Sequence, residues 1–134
     1  MASPSATTSS DALRERFARL ARERRKALVP YITAGHPTPG RSLELMAALE
    51  AAGADVIEVG VPFSDPMADG PVIQASSQAA LAQGMTFDRT LALVRDARLS
   101  IPVVLFSYLN PIVAAGPDAL ARAAAAGVYG ILVT

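Results

Sequence analysis

Residues 53–71 read Gly53-Ala54-Asp55-Val56-Ile57-Glu58-Val59-Gly60-Val61-Pro62-Phe63-Ser64-Asp65-Pro66-Met67-Ala68-Asp69-Gly70-Pro71. An apolar strand over residues 55–61 carries a carboxylate, Glu58, in its middle and runs into a Pro-rich loop holding Asp65 and Asp69. Val56, Ile57, Val59 and Val61 around a single acid predict a strand covered on both faces, as in a parallel sheet. Strand alternation puts Val56, Glu58 and Gly60 on one face and Ile57, Val59 and Val61 on the other. The bulky set is expected to face helices. The first set is expected to face the interior, with Gly60 leaving room for a ligand beside Glu58.

Outward from this stretch the pattern alternates. Ala27–Thr33 predicts a first strand, and Thr38 with Pro39 starts a helix that ends near Gly53. Beyond the acidic loop a helix is expected to stop at Gln83, with Gly84 as its terminator. Thr86 caps another helix reaching Arg98. Val103–Tyr108 predicts a third strand, Pro117 starts a helix ending before Gly127, and Val128–Thr134 predicts a fourth strand. Ahead of all this, Asp11 is expected to cap a helix whose apolar stripe is Leu13, Phe17, Leu20 and Ala21.

Repeated strand–helix units imply parallel strands joined by right-handed crossovers. Short units with one enlarged strand-to-helix loop suit an α/β barrel of eight units, the TIM barrel, with its site at the carboxyl ends of the strands. A doubly wound open sheet fits the local pattern too, but no Gly-x-Gly-x-x-Gly follows the first strand to support a dinucleotide site. Four strands do not close such a barrel. The expectation is therefore the amino-terminal half of a TIM-barrel domain over residues 11–134, a fragment of a longer protein, behind a disordered tail of small polar residues over 1–10.

Bulk composition narrows the function classes. The chain has 134 residues, 51% hydrophobic and 18% charged, enough for a core. Formal net charge is zero, so no general charge argument favours nucleic acid. Seven of the twelve basic residues lie at or before Lys26, against three acids there. The basic remainder of the first helix reads most simply as a solvated face. A transit-peptide reading of this end is weakened by the acids that interrupt the basic run. There is no cysteine, hence neither disulfide nor thiolate metal site. No apolar run approaches the ~18 residues of a membrane-spanning helix.

The acids admit two readings each. Desolvation favours the neutral form of a carboxyl, which suits a proton donor near neutrality. Glu58 fits that role, or that of a structural carboxylate hydrogen-bonded to backbone or to a Tyr. Asp69, in Ala68-Asp69-Gly70-Pro71, and Asp65, in Ser64-Asp65-Pro66, are either functional or turn-forming. No His lies near them and the calcium-loop spacing is absent, which argues against a metal. Tyr108 and Asn110 follow the third strand on the catalytic side. The sole His, His36, follows the first strand.

The chain resembles the tryptophan synthase alpha subunit family. Leu28-Val29-Pro30-Tyr31-Ile32-Thr33-Ala34-Gly35 is similar to that family's first strand. Ile57 through Pro71 is similar to its second strand and following loop, and Tyr108-Leu109-Asn110-Pro111 to its third-strand exit. The likeness runs from about Phe17 to Thr134. It implies a lyase that cleaves indole-3-glycerol phosphate to indole and glyceraldehyde 3-phosphate by a retro-aldol reaction in tryptophan biosynthesis.

On this resemblance Glu58 is the general acid/base, Asp69 the carboxylate near the indole N–H, and Tyr108 a wall of the indole pocket. The subunit is implied to use no cofactor. Its partner in a cytoplasmic α2β2 tetramer, the beta subunit, holds pyridoxal phosphate and faces Phe63–Pro71. The family's phosphate-gripping residues lie in the other half of the barrel, so these residues alone are expected to be inactive. Other phosphosugar barrels base their chemistry on strand lysines, and this chain has only Lys26. A non-catalytic half-barrel that binds or regulates a partner is the alternative, disfavoured by the joint presence of Glu58 and Asp69.

Overall fold

The computed structural model describes residues 9–134. The expected tail lies outside these for residues 1–8. Ser9 and Ser10 already belong to the first helix, α1 (Ser9–Arg22). Asp11 therefore lies in the first turn of α1 and does not cap it. There its charge still suits the helix dipole.

Four parallel strands follow in the order β1-β2-β3-β4: β1 (Tyr31–Thr33), β2 (Ile57–Gly60), β3 (Val103–Ser107) and β4 (Val128–Val133). The crossovers carry α2 (Pro39–Ala51), then α3 (Pro71–Ala82) and α4 (Phe87–Ala97), then α5 (Leu109–Ala114) and α6 (Ala119–Ala125). Of the caps read from sequence, the two threonine caps are made. Thr38 Oγ1 accepts from Arg41 N at 3.2 Å, and Thr86 Oγ1 accepts from Arg89 N at 3.2 Å. Gly53 and Gly84 follow α2 and α3 with φ of +98° and +78°, the left-handed termination that glycine permits.

Three expectations need correction. The first strand begins at Tyr31, not Ala27, although Leu28 and Pro30 still accept from Asp55 N and Glu58 N at 2.9 Å each. Pro117 does not start the last helix; Asp118 is its cap residue and Ala119 its first. A short helix, α5, follows Tyr108, where the sequence predicts no element. Pro111 sits in its first turn, a position where the missing N–H costs nothing.

Sheet register confirms the split between faces. Ile57, Val59, Val103 and Leu105 are buried among Met46, Leu91, Val94 and Ala123 from the helices. The other face carries Tyr31, Glu58, Val104 and Gly130 in one row of partners and Thr33, Gly60, Phe106 and Leu132 in the next. Helix α1 leans on β4. A Cβ on Gly130 would lie 3.1 Å from Leu13 Cδ1, so the missing side chain there allows the helix its approach. Leu20 of the expected apolar stripe is buried, whereas Phe17 is half exposed.

Two carboxylates tie the amino-terminal ends of the strands. Asp55, 1% exposed, accepts from both guanidinium nitrogens of Arg25 (2.7 and 3.1 Å) and from Leu28 N (2.9 Å). These bonds, Arg25 first, hold its carboxyl below the ordinary range. Glu50, at the end of α2, accepts from Ser100 Oγ and N at 2.7 Å each and from Ile101 N at 3.2 Å. Its carboxyl is lowered chiefly by the Ser100 hydroxyl. Both contacts fix the strand starts and so set the height at which the strands' other ends reach the site.

Candidate active site

The site lies at the carboxyl ends of the strands, where parallel-sheet proteins bind ligands. Glu58 stands in β2 on the open face, partly exposed, with Tyr31 as its register partner on β1 and Val104 on β3.

Asp69 ends the acidic loop just before α3. The loop is held by its own bonds. Met67 N donates to Asp65 O (2.8 Å), Asp69 N to Pro66 O (3.0 Å), and Gln74 Nε2 to Asp69 O (2.8 Å). Tyr108 reaches across from the end of β3. Its hydroxyl accepts from Ala68 N at 2.9 Å and donates to Asp69 Oδ2 at 3.2 Å. Its ring lies against Phe63, centroids 5.2 Å apart. Burial, above all, pushes the Tyr108 phenol above its ordinary value, and the Asp69 charge adds to this. Tyr108 thus clamps the loop by both ends of one hydroxyl and aims the Asp69 carboxylate.

Glu58, Asp69 and Tyr108 all bear electrostatically on one further group, the hydroxyl of Tyr31. The sequence reading did not select Tyr31. It expected empty space over Gly60, but that space is taken. A Cβ on Gly60 would lie 2.0 Å from Tyr31 Oη, so glycine here admits a tyrosine rather than a ligand. The Tyr31 ring stands edge-on to Phe106 across Gly60, centroids 5.9 Å apart and planes at 85°. Its hydroxyl is 3.2 Å from Thr33 Oγ1, which is 2.7 Å from Ser76 Oγ on α3. Burial raises the Tyr31 phenol most; the Thr33 bond opposes this and the neighbouring carboxylates reinforce it. The available signal was alternation: Tyr31 and Thr33 share the interior face with Glu58.

The remaining candidates stand apart. Asp65 accepts from its neighbour Ser64 Oγ at 2.7 Å and is exposed, which is turn chemistry. Asn110 lies exposed in α5. His36 is exposed at the rim of an apolar groove of about 700 Å³ that runs along β1 between α2 and α3. Tyr31, Thr33 and Ser76 also line this groove.

Four parallel strands in sequential order, with crossover helices on one face and α1 beside Gly130 on the other, have the architecture of a barrel-type α/β protein. The family model for the tryptophan synthase alpha chain matches residues 17–134, and this chain belongs to that family. The alpha chain of Burkholderia multivorans is 57% identical over 125 residues, covering 90% of this chain and 46% of that one. The Cupriavidus metallidurans alpha chain is 54% identical over 125 residues, covering 90% and 47%. The crystal structure of the Legionella pneumophila alpha subunit superposes with a TM-score of 0.88 at 44% identity, over 96% of this chain and 50% of that one. A tryptophan synthase structure from M. tuberculosis gives 0.82 at 39% identity. The chain spans about half the length of the curated relatives it matches. Its four parallel strands and the helices between them correspond to half of a TIM barrel.

Proposed function

We propose that the complete gene product carrying this chain cleaves indole-3-glycerol phosphate to indole and glyceraldehyde 3-phosphate. The observation that carries the reading is the pairing of two carboxylates at one end of the sheet in different settings. Glu58 stands on a strand beside a neutral phenol. Asp69 is held on a loop by the Tyr108 hydroxyl. Retro-aldol cleavage at an indole carbon needs a proton delivered to that carbon and a proton taken from the chain hydroxyl. It is helped by an anion that draws the N–H proton on the far edge of the ring. Glu58 serves as the acid/base and Asp69 as the anion. Tyr108 and Phe63 form an aromatic wall against which a flat ring can lie.

No cofactor is needed for these steps. The natural partner is a beta subunit carrying pyridoxal phosphate, in an α2β2 assembly in the cytoplasm, with residues 63–71 on the facing surface. The test is Glu58→Gln in the complete gene product, with indole release measured on indole-3-glycerol phosphate and the fold checked by circular dichroism. Activity is expected to fall by at least about a hundredfold, the lower end of general acid–base contributions. Full activity in the variant removes Glu58 from the mechanism. Absence of indole release in the wild type itself would favour a partner-binding, non-catalytic half-barrel.

A further inference from the structure

Three hydroxyls form a chain from β1 to α3. Ser76 Oγ is 3.0 Å from Ile73 O, which can only accept, and 2.7 Å from Thr33 Oγ1. With the Ser76 hydrogen on Ile73 O, Thr33 donates to Ser76 and accepts, at 3.2 Å, from Tyr31 Oη. A hydroxyl has one hydrogen and two lone pairs. The Tyr31 proton is thus committed to Thr33, and what Tyr31 presents to the site is an acceptor. In that arrangement Thr33 uses neither lone pair of the Tyr31 oxygen. It stands on the strand face that carries Glu58, beside an open groove. Burial first, and the nearby carboxylates after it, raise its pKa.

We propose that Tyr31 is a ligand-orienting residue that accepts a hydrogen bond from a hydroxyl on the chain of the substrate, with Thr33 and Ser76 as the positioning residues that fix its polarity. This rests on the function proposed above and deepens it. Asp69 takes the donor at the ring edge, Tyr31 takes a donor on the glycerol chain, and Glu58 lies beside the latter. A chain whose hydroxyl is bound as a donor keeps its oxygen in a defined place relative to Glu58. A chain without a hydroxyl gains nothing from Tyr31.

The experiment compares two ligands on the complete gene product: indole-3-glycerol phosphate, and an indolyl-propyl phosphate lacking both chain hydroxyls. Tyr31→Phe removes the acceptor and keeps the ring. It should raise KM for the glycerol phosphate about tenfold, the scale of one neutral hydrogen bond. It should leave the calorimetric Kd of the deoxy ligand within about twofold. Thr33→Val frees the Tyr31 proton and should raise KM in the same direction, while Thr33→Ser restores the chain and the wild-type value.

An unchanged KM in Tyr31→Phe, or equal weakening of both ligands, would overturn the proposal, the second result marking Tyr31 as packing alone. So would Thr33→Ser and Thr33→Val behaving alike. If the wild type binds both ligands but releases no indole, the proposed reaction fails and the inference is decided by the two dissociation constants. If it binds neither, both fail.

Discussion

Gly60→Ala tests the packing of the site floor, and its cost follows from distances. The new methyl would stand 2.0 Å from Tyr31 Oη and 2.6 Å from Cζ, so the ring must leave. Leaving breaks the bond to Thr33, about 1 kcal/mol for a neutral hydrogen bond. It also breaks the edge-on contact with Phe106, roughly 0.5–1.5 kcal/mol. Against this, alanine is favoured over glycine in a strand by roughly 0.5–1 kcal/mol. The net loss is about 0.5–2 kcal/mol. In a Tyr31→Ala background the obstacle is gone, and Gly60→Ala should be neutral or slightly stabilising. The coupling between the two positions is therefore about 2 kcal/mol, at the upper end for contacting residues. Urea unfolding of the four proteins, followed by circular dichroism, measures it. With a urea slope of ~1–3 kcal/mol/M the single variant's midpoint falls by on the order of 1 M. Equal cost of Gly60→Ala in both backgrounds would refute the account of why residue 60 is glycine.

Two other outcomes concern the frame beneath the site. Glu50 and Asp55 have carboxyls held below their ordinary values in the fold, so what they contribute is fully present above the unfolded values, 4.5 and 3.8. It is lost as pH falls below those values and through the folded ones. The urea midpoint should drop from pH 5 toward pH 3, and a double Glu50→Gln, Asp55→Asn variant should show a shallower drop; an identical acid slope would contradict this. Thr86→Ala deletes the acceptor for Arg89 N at the start of α4 and should cost about 1 kcal/mol, seen as a fall of about 3–5 °C in Tm. A change under about 1 °C would mean the cap is dispensable.

What the sequence made legible was local. Caps at Thr38 and Thr86, the terminators Gly53 and Gly84, and the two faces of β2 each depend on a handful of neighbours, and each stands where alternation or capping chemistry placed it. Glu58 and Asp69 were visible for a different reason: a charge in an apolar strand and an acid in a turn both cost something unless used. Tyr31 escaped because an aromatic residue in a strand reads as packing. Its function depends on Thr33 and on Ser76, 43 residues beyond Thr33, and on Gly60 in the next strand. Arg25 with Asp55 and Glu50 with Ser100 were illegible for the same reason. Nothing near Asp55 in the chain says that an arginine thirty positions earlier will reach it. α5 escaped because it is only six residues long and carries Pro111, which gives no helix signal although the first turn of a helix tolerates it.

The contact between α1 and β4 bears on how the chain is made. Every strand pairs with the one synthesised just before it, so the sheet can be laid down in order from the ribosome. α1 is the exception. It is translated first and meets its surface on Gly130 only after β4 emerges, more than a hundred residues later. At ordinary elongation rates that is a wait on the order of ten seconds. During this time Leu13 lacks its place beside Gly130, and the nascent chain carries an arginine-rich amphipathic helix not yet seated on β4. Arrival of the fourth strand, more than any earlier step, ends the period in which that helix is available to chaperones or to neighbouring nascent chains.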